Sequence, residues 1–121
     1  MKKLYIAGKI TGDPDYKEKF EKVRKEFEDD YIILNPATLP EGMLPSDYIR
    51  ICFAMIDVAD IVLFLPNYKE SKGATLEKEY CEYVGKRCIN YVPEQMEDAF
   101  RDLWCKGLQR FISAHAQEEP R

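Results

Sequence analysis

Four short apolar runs divide the chain, and each has the length and composition of a β-strand. They cover residues 3–7, 31–34, 61–65 and 87–92. The third run, Ile-Val-Leu-Phe-Leu, has no polar residue, which predicts a strand covered on both faces. Proline, glycine and polar residues follow the runs, so each predicted strand leads into a loop.

The segments between these runs have helical periodicity. Apolar residues recur at spacings of four, three and four over residues 15–29, at Tyr16, Phe20, Val23 and Phe27. Ser46 or Asp47 can cap a second helix that runs to about residue 59. Ser71 is the predicted cap of a third helix, which Gly85 closes. A fourth helix is predicted over residues 94–114.

Strands and helices alternate along the whole chain, in the order β-α-β-α-β-α-β-α. This order predicts one α/β domain over residues 1–116, followed by a frayed tail over residues 117–121. The predicted architecture is a doubly wound, Rossmann-like (flavodoxin-like), mostly parallel sheet of four to five strands with helices on both faces. Such sheets bind ligands beyond the carboxyl ends of their strands, at loops 8–14, 35–46, 66–72 and 92–94.

Charge and hydropathy limit the kinds of molecule that the protein is expected to bind. The 121 residues carry a net charge of −4 with no basic stripe, which argues against a nucleic-acid duplex but leaves a small anionic ligand possible. No stretch approaches the roughly 18 apolar residues of a membrane span, and the N-terminus lacks a signal-peptide core. A cytoplasmic protein with no membrane partner is therefore expected.

Cysteine and histidine usage predicts neither disulfides nor a metal centre. The four cysteines form no C-x-x-C pair and are interpreted as reduced core residues: Cys52, Cys81, Cys88 and Cys105. The single histidine, His115, lies near the polar tail. We expect no metal ion and no cofactor.

Glu77 is the one charged residue predicted on the inner face of the third helix. On a wheel of about 100° per residue it shares that face with small and apolar residues, namely Gly73, Ala74, Tyr80, Cys81 and Val84. A buried lone carboxylate is costly unless it is paired or used, and the helix N-terminus favours its ionised form. Glu77 is therefore predicted to be either a nucleophile at a cleft edge or the partner of a cation such as Lys9.

The loop after the first strand is a second candidate for ligand contact. Gly8-Lys9-Ile10-Thr11-Gly12 lets backbone N–H groups approach an anion or a sugar, although a plain tight turn has the same pattern. Its G-x-x-x-G spacing is neither the dinucleotide nor the Walker motif. Ser71 can hydrogen-bond a phosphate or a sugar hydroxyl, or serve only as the helix cap.

Together these motifs resemble the nucleoside 2-deoxyribosyltransferase family, and most closely its short bacterial and phage relatives. The resemblance covers roughly residues 3–92 and rests on four pieces: residues 5–12, Asn35-Pro36-Ala37, Asp60, and Ser71-x-Gly73-x-x-x-Glu77 followed by Gly85-Lys86. It implies that Glu77 attacks C1′ of a nucleoside or nucleotide to form a glycosyl-enzyme intermediate. A base or water then takes the sugar, as in retaining glycoside chemistry.

The resemblance also implies a binding site and an assembly. Ser71, Gly73 and the loop from Gly8 to Gly12 would hold the sugar and any 5′ group, and Tyr5 and Tyr80 would line the pocket. Members of the family associate as homodimers or larger homo-oligomers, and the apolar face of helix 46–59 could serve such an interface.

The chain departs from the family pattern at the expected acid. The catalytic aspartate of the family corresponds to Cys52, and a buried thiol is a poor proton donor to a leaving base. Asp47, Tyr48 and Glu70 are candidate substitutes near the ligand edge. Two other carboxylates are predicted at the far end of the third strand, Asp57 and Asp60.

A second departure concerns the 5′ group. Thr11 occupies the position of an arginine found in nucleotide-hydrolysing relatives, and Lys9 could supply the positive charge instead. Two functional hypotheses remain. One is an enzyme that cleaves or transfers an N-glycosidic bond; the other is a nucleotide-binding or sensing module of the same fold with weak or no catalysis.

Overall fold

The computed structural model describes residues 1–92, and all four predicted strands lie within this range. They are β1 (Lys2–Ala7), β2 (Tyr31–Leu34), β3 (Ile61–Phe64) and β4 (Arg87–Asn90). Every residue of β3 is buried, as its wholly apolar sequence predicts. The predicted helix over 94–114, the tail 117–121 and the end of the domain at residue 116 lie outside the described residues.

Three helices connect the strands: α1 (Tyr16–Phe27), α2 (Pro45–Val58) and α3 (Lys72–Val84). Two short 3₁₀ turns, Pro36–Thr38 and Tyr68–Glu70, lie in the loops before α2 and α3. None of the helices in the described part of the chain is long and apolar enough to cross a membrane.

The four strands form one parallel sheet in the order β2-β1-β3-β4. One core packs α1 against one face of the sheet, through Phe20 and Val23. A second core packs α2 and α3 against the other face, through Cys52, Ile56 and Cys81. The doubly wound α/β fold is thus confirmed, and the described sheet is parallel throughout.

The strand order places the loops after β1 and β3 side by side. The chain leaves β1 toward β2 on one side and leaves β3 toward β4 on the other. In open α/β sheets this switch point opens a crevice at the carboxyl edge. The loops that follow these two strands therefore form the walls of the candidate site.

The ends of α3 agree with prediction, whereas the start of α2 differs. Ser71 caps α3 by accepting a hydrogen bond from the Ala74 N–H at 3.1 Å, and Gly85 closes it with a positive φ of 75°. The prediction that Ser46 or Asp47 precedes α2 is wrong, because α2 begins at Pro45 with Leu44 as its cap residue. Proline suits the first helical position, where its missing N–H costs nothing.

Candidate active site

A cleft of about 1060 Å³ opens at the carboxyl edge of the sheet, where the fold predicts ligand binding. Loops 8–14, 35–46 and 66–72 and the first two turns of α3 contribute to its walls. One wall is largely apolar and comes from the segment between β2 and the start of α2: Pro36, Ala37, Leu39, Pro40, Met43, Pro45 and Ile49.

Glu77 lies in the wall of this cleft, on the inner face of α3. Its side chain is buried, with 6% of the residue exposed, as the wheel predicted. Its Oε2 accepts a hydrogen bond of 2.5 Å from the hydroxyl of Tyr5. The alternative that Lys9 pairs with Glu77 is wrong, because the Lys9 ammonium lies 3.1 Å from Glu70 Oε1 instead.

The protonation of Glu77 differs from the prediction. Burial raises the pKa of Glu77 to about 7, although the hydrogen bond from Tyr5 lowers it. The helix N-terminus is expected to offset part of the cost of burial, but the effect of burial is the larger one at this position in the second turn. Near neutral pH, Glu77 is therefore present in both its acid and its carboxylate form.

Tyr5 and Cys52 complete a buried cluster around Glu77. Tyr5 is completely buried, and burial first and the Glu77 charge second raise the pKa of its hydroxyl well above the usual value. Burial likewise raises the pKa of the Cys52 thiol to about 11. Tyr5 therefore remains a hydrogen-bond donor to Glu77, and Cys52 holds its proton too tightly to act as an acid near neutral pH.

The loop after β1 lines the cleft beside this cluster through Gly8, Ile10, Thr11 and Gly12. A Cβ at Gly8 would lie 2.9 Å from Leu65 Cδ1 and 3.0 Å from Leu65 Cβ, so only glycine fits there. Gly12 has a φ of +82°, in the left-handed region that glycine tolerates best. Both glycines thus have structural reasons for their presence, and both also face the cleft.

The first turn of α3 is open to the cleft. Ser71 and Gly73 both line it, and a Cβ at Gly73 would meet no atom closer than Ser71 Oγ at 3.8 Å. Because Gly73 lacks a side chain, a ligand can approach the backbone of this turn closely. Ser71 keeps its role as the cap and still borders the ligand space.

Two candidate acids have their polar groups engaged in local structure. Asp47 accepts a hydrogen bond from the Leu44 N–H at 3.0 Å and does not line the cleft. Tyr48 does line it, but its hydroxyl donates to the Pro40 carbonyl at 2.6 Å and accepts from the Met43 N–H at 3.1 Å. The structure therefore assigns Asp47 to helix capping and the Tyr48 hydroxyl to holding the loop before α2.

Tyr80 is not placed where the resemblance implied. Its ring stacks on Phe53, with centroids 4.3 Å apart, and its hydroxyl donates to Asp57 Oδ1 at 2.5 Å. Tyr80 directly precedes the buried Cys81 in α3 and does not line the cleft. Asp57 and Asp60 lie away from the cleft as predicted, and Asp60 accepts from the Lys3 N–H at 2.7 Å.

The sequence matches a family model over residues 2–90, described as a domain of unknown function, DUF4406. The chain belongs to this family. The match includes every described strand and helix, so the whole cleft lies within the DUF4406 domain. No curated protein matches the chain. The resemblance to nucleoside 2-deoxyribosyltransferases stays a prediction.

The DUF4406 domain holds its two cleft loops together with a buried polar network that sequence reasoning missed. Lys19 is 1% exposed, and its ammonium lies 2.8 Å from Asp13 Oδ2. The Asn67 amide donates to the same oxygen at 3.2 Å, and its Oδ1 accepts from the Lys9 N–H at 3.4 Å. Lys19 follows Tyr16 by three residues and precedes Val23 by four, so the helical spacing places it on the inner face. This helical spacing is the feature of the sequence from which a buried Lys19 could have been predicted.

A second link joins the same loops at the cleft. Lys9, from the loop after β1, pairs with Glu70, from the loop after β3, and the Glu70 side chain is 14% exposed. Glu70 lines the cleft, whereas Lys9 is not one of the lining residues and reaches only the Glu70 carboxylate. Of the candidate acids, Glu70 is the one whose carboxylate the structure brings into the cleft.

The cysteines and the potential metal ligands of the described residues can be considered together. Cys52, Cys81 and Cys88 are free thiols. No group of three or more histidine, cysteine, aspartate or glutamate side chains within residues 1–92 could hold a metal ion. Cys105 and His115 lie outside the described residues.

Proposed function

We propose that this protein cleaves or transfers the N-glycosidic bond of a nucleoside or nucleotide through a covalent glycosyl-Glu77 intermediate. The observation that carries the proposal is the buried Glu77 carboxylate, which borders a large cleft and accepts a hydrogen bond from Tyr5 rather than an ion pair. A buried ionisable group with a strongly raised pKa at a cleft is typical of a functional site.

The mechanism begins with the ionised form of Glu77. A carboxylate oxygen attacks C1′ as the bond from C1′ to the base breaks, through an oxocarbenium-like transition state. The Tyr5 hydroxyl orients the carboxylate, and the low polarity around Glu77 strengthens its attraction to the developing positive charge. Water or a second base then displaces the sugar from Glu77.

The cleft offers distinct surroundings for each part of the substrate. The apolar wall contributed by Leu39, Met43 and Ile49 suits a flat base. The loop from Gly8 to Gly12 and the open first turn of α3 suit the sugar and its 5′ substituent. Lys9 is occupied by Glu70, so it does not serve as a dedicated phosphate ligand in this arrangement.

Covalent trapping tests the proposal. A 2′-fluorinated nucleoside slows the release of the sugar, so incubation should add one sugar mass to the protein, on the peptide that contains Glu77. Glu77→Gln should abolish the label, whereas Glu79→Gln, on the exposed side of the same helix, should keep it. A label elsewhere, or no label and no released base with a panel of nucleosides and nucleotides, would refute the proposal.

A nucleotide-binding or sensing module with weak or no catalysis is the second candidate. It is favoured by Cys52, which stands at the position of the expected acid and whose pKa is raised to about 11. This function predicts that nucleosides or nucleotides raise the melting temperature while no base is released. Measurement of both quantities on the same samples separates the two functions.

We also propose that the chain forms a homodimer or a larger homo-oligomer. The main apolar face of α2 packs against the sheet through Cys52 and Ile56, so support comes instead from its outer side, where Ile51 and Val58 are exposed seven residues apart and Leu44 at the cap position is 66% exposed. Residues at this spacing lie on one side of a helix and make an apolar stripe.

A further inference from the structure

The covalent mechanism requires a group that the assignments above do not supply. After Glu77 has become esterified, water or an incoming base must attack C1′ and lose a proton. The resemblance implies a catalytic aspartate, the only other titratable group of the reaction, at the position where this chain has Cys52. The following inference rests on the proposed function and concerns which residue takes that proton.

Most ionisable groups that line the cleft are already engaged. Both carboxylate oxygens of Asp13 accept hydrogen bonds, and the Tyr48 hydroxyl is held by two backbone groups. The side chain of Glu41 is 74% exposed, so it lies in solvent rather than at a shielded reaction centre. Cys52 is buried beside Tyr5 and Glu77, where a thiolate would be costly.

Glu70 differs from these groups because it is largely buried and still has one carboxylate oxygen available to accept a hydrogen bond. Its side chain is 14% exposed and borders the cleft. The Lys9 ammonium approaches only Oε1, at 3.1 Å, so within residues 1–92 Oε2 has no protein partner. The ammonium also places a positive charge against the carboxylate, and a carboxylate is the form that a base requires.

Glu70 and Glu77 line the same cleft from different places in the chain. Glu70 directly precedes the cap Ser71, whereas Glu77 lies in the second turn of α3, roughly 8 Å further along the helix axis than Lys72. The two carboxylates therefore border different parts of one cleft.

We propose that Glu70 is the general base of the second half-reaction. Its Oε2 takes a proton from water, the water oxygen bonds to C1′, and the bond from C1′ to Glu77 breaks with its electron pair returning to Glu77. The products are the free sugar, the Glu77 carboxylate and the Glu70 carboxylic acid. The proton gained by Glu70 is the one that the departed base anion takes up, so a full turnover balances. When a second base is the acceptor, its N–H supplies the proton in the same way.

The test separates the two half-reactions. Glu70→Gln should still release about one equivalent of base per protein from a reactive 2′-deoxynucleoside, and then turn over about 10²- to 10⁴-fold more slowly than the parent. Mass spectrometry should find the sugar accumulated on Glu77. Azide, which attacks without losing a proton, should restore turnover at least tenfold and yield a glycosyl azide. Glu79→Gln serves as the control for loss of one negative charge.

The outcomes separate the role of Glu70 from the proposed function of the protein. Normal turnover of Glu70→Gln, or slow turnover that azide does not restore in a variant with an unchanged melting temperature, overturns the role of Glu70. If Glu70→Gln melts early, Lys9→Met provides the second test, because it retains the carboxylate but removes its positioning cation; it should slow the second half-reaction selectively. Absence of any label or base release in the parent protein defeats the proposed function itself, and this inference with it.

Discussion

Glu77 lies in the wall of the cleft and carries a cost to stability. Its side chain is almost fully buried, and the one hydrogen bond it accepts from Tyr5 does not compensate for the loss of water around the charge. Folding therefore raises the share of the protonated acid, whereas the proposed nucleophilic attack needs the carboxylate. This conflict is common at sites that are organised for chemistry rather than for stability.

The stability of the protein should depend on pH through Glu77. Its pKa is raised from 4.5 to about 7 on folding, so the folded state binds more protons between these values and the free energy of unfolding falls as pH rises through that window. Glu77→Gln should be more stable than the parent above pH 7, by up to about 3 kcal/mol. The difference should vanish near pH 4.5.

Urea denaturation at pH 5 and pH 8 measures this difference. Glu79→Gln is the matched control, since Glu79 lies on the same helix but is exposed. A gap between parent and Glu77→Gln that is equal at both pH values would contradict the raised pKa.

Tyr5 should control the ionisation of Glu77. Its hydroxyl donates to the charged carboxylate and thereby lowers the Glu77 pKa, against the larger effect of burial. Tyr5→Phe removes the donor, so the Glu77 pKa should rise above 7 and any rising limb of kcat/KM should move to higher pH. Carbon-13 NMR titration of labelled glutamate carboxyl groups measures the pKa directly. An unchanged or lower pKa would show that the hydrogen bond does not favour the ionised form.

At the scale of elements, the site depends on two neighbouring loops that follow β1 and β3. Asp13, Lys19 and Asn67 connect these loops to each other and to α1 in a buried network. Removal of one member leaves a buried charge without its partner, which is far more costly than loss of an exposed pair.

Lys19→Met should therefore destabilise the fold by about 3 kcal/mol or more. Lys17→Met provides the comparison, since the Lys17 side chain is 65% exposed and its contact with Glu41 is 3.7 Å long, so its loss should change stability by less than about 1 kcal/mol. Thermal and urea unfolding of both variants measures the difference. Equal effects of the two substitutions would mean that the network does not bear on stability.

Two glycines of the cleft should respond to alanine in opposite directions. Gly8→Ala places a Cβ 3.0 Å from Leu65 Cβ and 2.9 Å from Leu65 Cδ1, so it should destabilise by about 1–3 kcal/mol, and its cost should be smaller when it is measured in a Leu65→Ala background. Gly73→Ala meets open space on a helix and should stabilise by about 0.5–1 kcal/mol while crowding the ligand. Urea unfolding curves give the free energy of unfolding of each variant. An equal loss of stability in both variants would contradict the crowded environment described for Gly8 and the open one described for Gly73.

At the scale of the whole molecule, the apolar stripe on α2 predicts self-association. Ile51→Glu with Val58→Glu should shift the mass in solution toward that of a monomer without loss of helical circular dichroism. Ile32→Glu, at a residue that is 50% exposed on β2, is the control and should keep the parent mass. Light scattering coupled to size exclusion provides the masses. A monomeric parent protein would refute the prediction.

Much of the architecture could be predicted because its causes are local. The apolar runs and the periodicity of α1 and α3 predict elements within one or two residues of those observed, and Ser71 and Gly85 mark the ends of α3. The start of α2 could not be predicted from capping preferences, because Leu44 has no polar side chain and the helix begins on a proline instead. The pocket position that the resemblance implied for Tyr80 is not observed, because contacts with Phe53 and Asp57 decide where this long side chain packs.

The sequence alone determined the doubly wound order of elements and the inward direction of Glu77, since both follow from periodicity along the chain. Only the tertiary structure decided which groups meet at the cleft. Tyr5 and Glu77 are 72 residues apart, Lys9 and Glu70 are 61 apart, and no local pattern encodes such pairings. The tertiary structure also decided the raised pKa of Glu77, because burial depends on what α2, α3 and β1 place around the carboxylate.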